Sequence, residues 1–150
     1  MSLDNPKSTV KIGGHPIHPM LIPFPIAFFV GAFACDIAFW RTSNPMFSTF
    51  SLWLIGAGLV MAALAALAGL TDFLGDARIR AIGDAWQHMI GNVLAVVLEL
   101  VSFLLRLAHG PSFVNPTGLV ISLVVTCILL FTGWKGWEMV YRKHVGVADG

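Results

Sequence analysis

Residues 50–70, FSLWLIGAGLVMAALAALAGL, run for 21 residues without one charged side chain. About 20 predominantly apolar residues let a helix cross the hydrocarbon core of a bilayer, so this stretch reads as a transmembrane helix. Three further stretches share its character, and each holds its few charges singly or near an end. The pattern predicts spans over residues 20–40, 50–72, 87–106 and 117–141. The expected fold is all-α, a four-helix transmembrane bundle forming one domain over residues 1–150. Asn44-Pro45 and Gly110-Pro111 mark turns in the first and third links.

Composition agrees with that reading. The chain is 57% hydrophobic and 11% charged, with a mean hydropathy of +0.81, whereas soluble domains carry about 25% charged residues. These figures exclude disorder and an ordinary soluble enzyme. A formal net charge of +1 leaves no field to attract nucleic acid. Cys35 and Cys127 lie in apolar runs at different depths, which argues against a disulfide. Without a P-loop, a dinucleotide glycine fingerprint or a nucleophile elbow, nothing points to a stand-alone enzyme. Ala32-Phe33-Ala34 before Cys35 superficially resembles a processing site, but the apolar run continues to Trp40, so the first span is read as retained.

Lysine and arginine placement sets the orientation. Lys7, Lys11, Arg78, Arg80, Lys135, Arg142 and Lys143 fall on the side of both termini, against Arg41 and Arg106 on the other. Cytoplasmic flanks carry the excess of these residues, so both termini are expected in the cytoplasm. Trp86, Trp134, Trp137 and Tyr141 then mark the inner interface and Trp40 and Trp53 the outer one. In the second span, Gly58, Ala62 and Ala66 repeat every four residues, and Ala65 with Gly69 forms a second pair. Small residues of this kind let helices approach closely in lipid.

Polar groups within spans point to function, because a charge near the bilayer centre costs about 2.5–3.5 kcal/mol on insertion scales. Glu99 falls near the middle and Asp36 near the outer end. His15, His18, Asp72, His88, Lys135 and Glu138 fall toward the inner end, where the polar residues are expected to gather. Four of eight prolines lie between residues 16 and 25. Regular helix is therefore expected only from about Pro23 or Pro25, after a Pro-rich irregular lead-in that folds against other helices and shapes a pocket. The plainer reading is a proline-rich turn whose histidines merely cap or hydrogen-bond.

On the third span, His88, Asn92 and Glu99 share one face. On the fourth, Lys135, Glu138 and Arg142 lie three and four residues apart, either as an interfacial salt bridge or as a clamp for an anion or a haem propionate. His109 and His144 read as surface residues. These placements suggest three functions. One is electron transfer through a haem b or quinone site at the cytoplasmic side. His88 then faces His18 or His15, Asn92 supports it, and Lys135, Glu138, Arg142 or Lys11 handles propionates. Another is a transition-metal site built on His18 and His88, with His15 and Asp72 as further donors. The third is a non-catalytic structural or assembly subunit. A proton-coupled role for Glu99 is a further reading, although four spans offer little transport machinery without oligomerisation.

Gly14-His15-Pro16-Ile17-His18-Pro19 leading into Pro23-Phe24-Pro25-Ile26 resembles the opening of the bacterial domain-of-unknown-function family 2231. The ending Gly133-Trp134-Lys135-Gly136-Trp137-Glu138-Met139-Val140-Tyr141-Arg142, closed by His144-Val145-Gly146-Val147, resembles it too, as does His88-Met89-Ile90-Gly91-Asn92. Lys143 displaces His144 by one place from the family's terminal histidine. The resemblance implies a four-helix protein of the bacterial inner membrane with no established activity. Some relatives are fused to Rieske-type or cytochrome modules, which implies electron-transfer neighbours. The expected company is thus the lipid bilayer, a redox or other membrane-protein partner, or a second copy of the chain.

Overall fold

The computed structural model describes Pro6 and residues 8–147. Lys7, counted above on the terminal flank, lies outside the described residues. A two-residue hairpin, β1 (Lys11–Ile12) against β2 (His15–Pro16), precedes a short helical turn, α1 (Ile17–Leu21). Four membrane-length stretches follow from there. α1 continues into α2 (Pro23–Thr42), then come α3 (Pro45–Gly75) and, after the short α4 (Ala77–Arg80), α5 (Gly83–His109). The last begins as α6 (Pro111–Phe113), bends through a connector at Val114–Gly118 and continues as α7 (Leu119–Tyr141).

The helix ends follow local chemistry. Ser43 turns left-handed, the Asn44 side chain accepts a 3.0 Å hydrogen bond from the Met46 amide, and Pro45 opens α3. This is the usual way to start a helix with its first amides satisfied. α3 therefore begins before residue 50, because a good cap outweighs the polar composition of residues 45–49. At the far end of α5, Gly110 takes a positive φ of 63° ahead of Pro111, and the helix stops. The proline-rich lead-in is more regular than expected: the backbone is helical from Ile17 through Thr42, with Ile22 in the right-handed α region and its amide bonded to the His18 carbonyl at 3.2 Å, because Pro19 falls in the first turn, where its missing N–H costs no helical hydrogen bond.

Four helices close a ring in which α2 packs on α3 and α7, and α5 packs on α7 and α3. Burial steps alternately by three and four residues. In α3 the buried line runs Ser48, Ser51, Ile55, Gly58, Ala62 and Ala65. In α7 it runs Gly118, Ser122, Val125, Leu129 and Thr132. That alternation is the seam of a bundle with helices about 20° off antiparallel. It also corrects the small-residue reading: Ala66 is exposed, because two steps of four residues drift about 80° around a helix of 3.6 residues per turn. Ala65 and Gly69 stay on the seam.

Phe29, Ala32, Ile55, Ala62, Ala95, Val125 and Leu129 form the apolar centre. A Cβ at Gly58 would stand 2.5 Å from Phe29 Cε1 and 2.7 Å from Cδ1. Gly58→Ala is therefore expected to wedge α2 from α3 and destabilise the bundle by about 1–3 kcal/mol. Denaturant titration of the detergent-solubilised protein reads this directly.

Candidate functional site

The α5 seam holds more of the buried polar residues than any other helix, with Glu99, Ser102 and Arg106. Its seven positions are Ala85, His88, Asn92, Ala95, Glu99, Ser102 and Arg106, so two alanines interrupt a line of polar groups. The sequence-predicted stripe of His88, Asn92 and Glu99 is thus one face of one helix. It leads to a polar cluster at each end of the bundle.

At the first end, His18 on α1 and His88 on α5 approach each other, with ring centres 6.3 Å apart and planes at 87°. His18 Nδ1 lies 2.8 Å from the Ala65 carbonyl of α3, and His88 Nδ1 lies 2.8 Å from the Thr132 carbonyl of α7. A carbonyl only accepts, so each Nδ1 carries the ring proton and donates it. Each Nε2 then holds a free lone pair, and neither has a hydrogen-bond partner among the described residues. Glycine makes room for both rings. A Cβ at Gly69 would come within 2.6 Å of His18 Cε1, and one at Gly136 within 3.2 Å of His88 Cε1. Asn92 braces the pair by donating to the His88 carbonyl at 2.8 Å and accepting from Thr132 Oγ1 at 3.2 Å.

The remaining predicted residues divide. His15 is exposed in the hairpin, as is Lys11. Asp72 is occupied elsewhere: its carboxylate accepts from Ser8 Oγ at 2.9 Å, the Thr9 amide at 2.6 Å and the Val10 amide at 3.1 Å. It therefore moors the segment that leads to His18 instead of joining the histidines. No group of three or more histidine, cysteine, aspartate or glutamate residues suited to a metal occurs among the described residues. Lys135 pairs with Asp84 at 2.9 Å and Glu138 at 3.3 Å, while Arg142 reaches Glu138 at 3.4 Å. These three form the interfacial ion-pair ladder of the simpler reading. His109 and His144 are exposed, and Cys35 and Cys127 are free thiols.

The opposite end corrects the expectation that the polar groups are concentrated at the histidine end. Asp36, Ser51, Ser102, Arg106 and Ser122 form a buried network drawn from all four long helices. Arg106, assigned above to a flank, is 3% exposed. Its Nη1 donates to Asp36 Oδ1 at 2.8 Å and Ser51 Oγ at 3.0 Å. Its Nη2 donates to Asp36 Oδ2 at 2.7 Å and Ser122 Oγ at 3.3 Å, and Nε donates to Ser102 Oγ at 3.0 Å. All five guanidinium N–H groups are thereby used. Ser51 and Ser122 hydroxyls each donate to Asp36 at 2.6 Å. Continuing the α5 stripe from Glu99 by three and then four residues was the available signal for Ser102 and Arg106. Since Arg106 lies inside the bundle, it is no flanking charge, and Arg41 alone remains of the two cations counted on that side.

A four-helix, multi-pass membrane protein with a polar cluster at each end of its bundle is the class these features define. The family described as "Predicted membrane protein (DUF2231)" matches residues 14–149, and the chain belongs to that family. No curated protein and no solved structure matches the chain.

Proposed function

We propose that this chain is a bacterial inner-membrane protein that passes electrons through a haem b held between His18 and His88. One observation supports this reading above the others: two imidazoles stand 6.3 Å apart, each with Nδ1 committed to a backbone carbonyl. Such a bond sets the tautomer and orientation of a metal-binding histidine. Two imidazoles this close could hold one iron between them through their Nε2 atoms. The donor set favours haem over a bare ion. A porphyrin brings its own four nitrogens, so two imidazoles complete the iron, whereas a structural zinc site takes four protein ligands.

In this reading His18 and His88 would hold the haem iron, and the Asn92–Thr132 contact would steady the His88 side. Bound haem supplies one-electron chemistry, and a redox protein in or on the membrane is the matching partner. Both termini, and the histidine end with them, lie on the cytoplasmic side by the excess of lysine and arginine there. A quinone is less well supported. The apolar groove of about 370 Å³ lined by Trp53, Gly56, Val60 and Phe103 is in the half of the bundle remote from the histidines.

The test is an optical spectrum of the purified protein, as isolated and after titration with haemin. A Soret band is expected in the wild type and in His15→Ala, and its loss in His18→Ala and His88→Ala. No Soret band under either condition, or an undiminished band in both variants, overturns the haem assignment. The same hydrogen bonds also tie α1 to α3 and α5 to α7. They therefore support a second reading, a structural or assembly subunit, which a stable co-purifying partner without any cofactor would favour.

A further inference from the structure

Glu99 is 0% exposed, and neither of its carboxyl oxygens has a hydrogen-bond partner among the described residues. It lies near the middle of a 27-residue span. Ala32, Ile55, Ala95 and Val125 of the surrounding seams belong to the apolar centre at this level. The nearest charges are Asp36 from α2 and Arg106 from its own helix, and α3 and α7 present the hydroxyls of Ser51 and Ser122. The Asp36–Arg106 pair is neutral as a unit, and its guanidinium has no donor left over. That pair offers an ionised Glu99 little compensation, and burial in low dielectric therefore favours its neutral form. Burying a neutral carboxyl without a partner is itself costly, and such residues inside membranes mark proton or ion pathways.

A second feature lies at the Arg106 end of the same helix. Ser48, Thr49, Leu52, Arg106, Gly110, Pro111 and Val114 line a cavity of about 90 Å³ at the Arg106 end, large enough for a few waters. From Arg106 the Ser102 hydroxyl lies one helical turn inward, and Glu99 three residues beyond it. We propose that Glu99 is a proton-exchange site within the membrane, reached from the Arg106 end of the bundle through this cavity and Ser102. In the exchange, the Glu99 carboxyl passes its proton to the Ser102 hydroxyl while its other oxygen takes that hydroxyl's proton, so no carboxylate forms, and the Ser102 hydroxyl trades protons with a cavity water in the same way. This inference does not draw on the haem reading.

Dicyclohexylcarbodiimide tests the site. This apolar reagent adds to protonated carboxyl groups in lipid and leaves an N-acylurea adduct. Wild-type protein in phosphatidylcholine vesicles is treated at a series of pH values, and the modified residue is located by peptide mass mapping. An adduct on Glu99 that is lost toward alkaline pH is the expected result. No adduct on Glu99 at any pH, or modification of Asp36 instead, overturns the proposal. Infrared spectroscopy tests the route. The protonated carboxyl band absent from Glu99→Gln should shift in D2O, and Thr49→Phe, a substitution at an exposed position on the cavity wall, should slow that shift several-fold. Exchange as fast in Thr49→Phe as in the wild type overturns the route and the proposal with it. If Glu99→Gln does not fold, the wild-type mass map still decides the site.

Discussion

Arg106→Met is expected to destabilise the bundle by about 3–5 kcal/mol, the usual result of removing one partner from a buried ion pair. Methionine nearly matches the arginine stem in length and sits well among apolar helices, so lost packing is a small part of the effect. The large part is Asp36, which stays fully buried and keeps only the Ser51 and Ser122 hydroxyls of its partners. Arg106→Lys should fall between the variant and the wild type. It preserves the charge, but a single ammonium cannot reproduce the forked contacts that now reach Asp36, Ser51, Ser102 and Ser122. The double variant Asp36→Leu/Arg106→Met should recover most of the loss, because an apolar replacement of a whole buried pair is often neutral or stabilising. The serines have fallback acceptors in the Ala32 and Gly118 carbonyls, which their hydroxyls already approach at 3.3 and 3.0 Å. Equilibrium unfolding of the wild type, the two Arg106 variants and the double variant in detergent measures these differences. A single variant as stable as the wild type would show that the pair is not what joins this end of the bundle.

On the proposed haem reading, Gly69→Ala is expected to weaken haem binding by about 10–100-fold, the usual cost of disturbing the shell that orients a metal ligand, while leaving the fold intact. The added methyl would lie 2.6 Å from Cε1 and 2.8 Å from Nδ1 of His18, so the ring must leave the Ala65 carbonyl that sets its tautomer. Stability should change little. Alanine gains about 1 kcal/mol over glycine in a helix, which offsets a lost hydrogen bond of similar size. The contrast with Gly58→Ala is informative, because the same methyl there meets the buried Phe29 and is paid for in stability. Haemin titration of apoprotein beside an unfolding curve separates the two outcomes. Undiminished haem affinity in Gly69→Ala would remove His18 as a ligand.

Several features were legible before any fold was known. The charge-free run over residues 50–70 settles the class, since only a helix can carry so long an apolar backbone through lipid with its hydrogen bonds satisfied. The links were visible in Asn44-Pro45 and Gly110-Pro111, and the stripe of His88, Asn92 and Glu99 followed from helical spacing. Trp40, Trp53, Trp86, Trp134, Trp137 and Tyr141 are all exposed on the outside of the bundle.

Arg106 shows where that legibility stops. A cation at the end of a hydrophobic run looks the same in one dimension whether it flanks the membrane or turns into the bundle. The difference lies in which face meets which neighbour, and Asp36 is 70 residues away along the chain. His15 and His18 pose the same problem. Each precedes a proline in the doubled motif, yet one falls in an exposed hairpin and the other in a helical turn against α3. Composition and periodicity are properties of segments, and they were enough for four membrane helices and their polar faces. Choosing His18 over His15, moving Arg106 inward and leaving Glu99 without a partner depend on contacts between segments, which exist only once the four helices have closed into a ring.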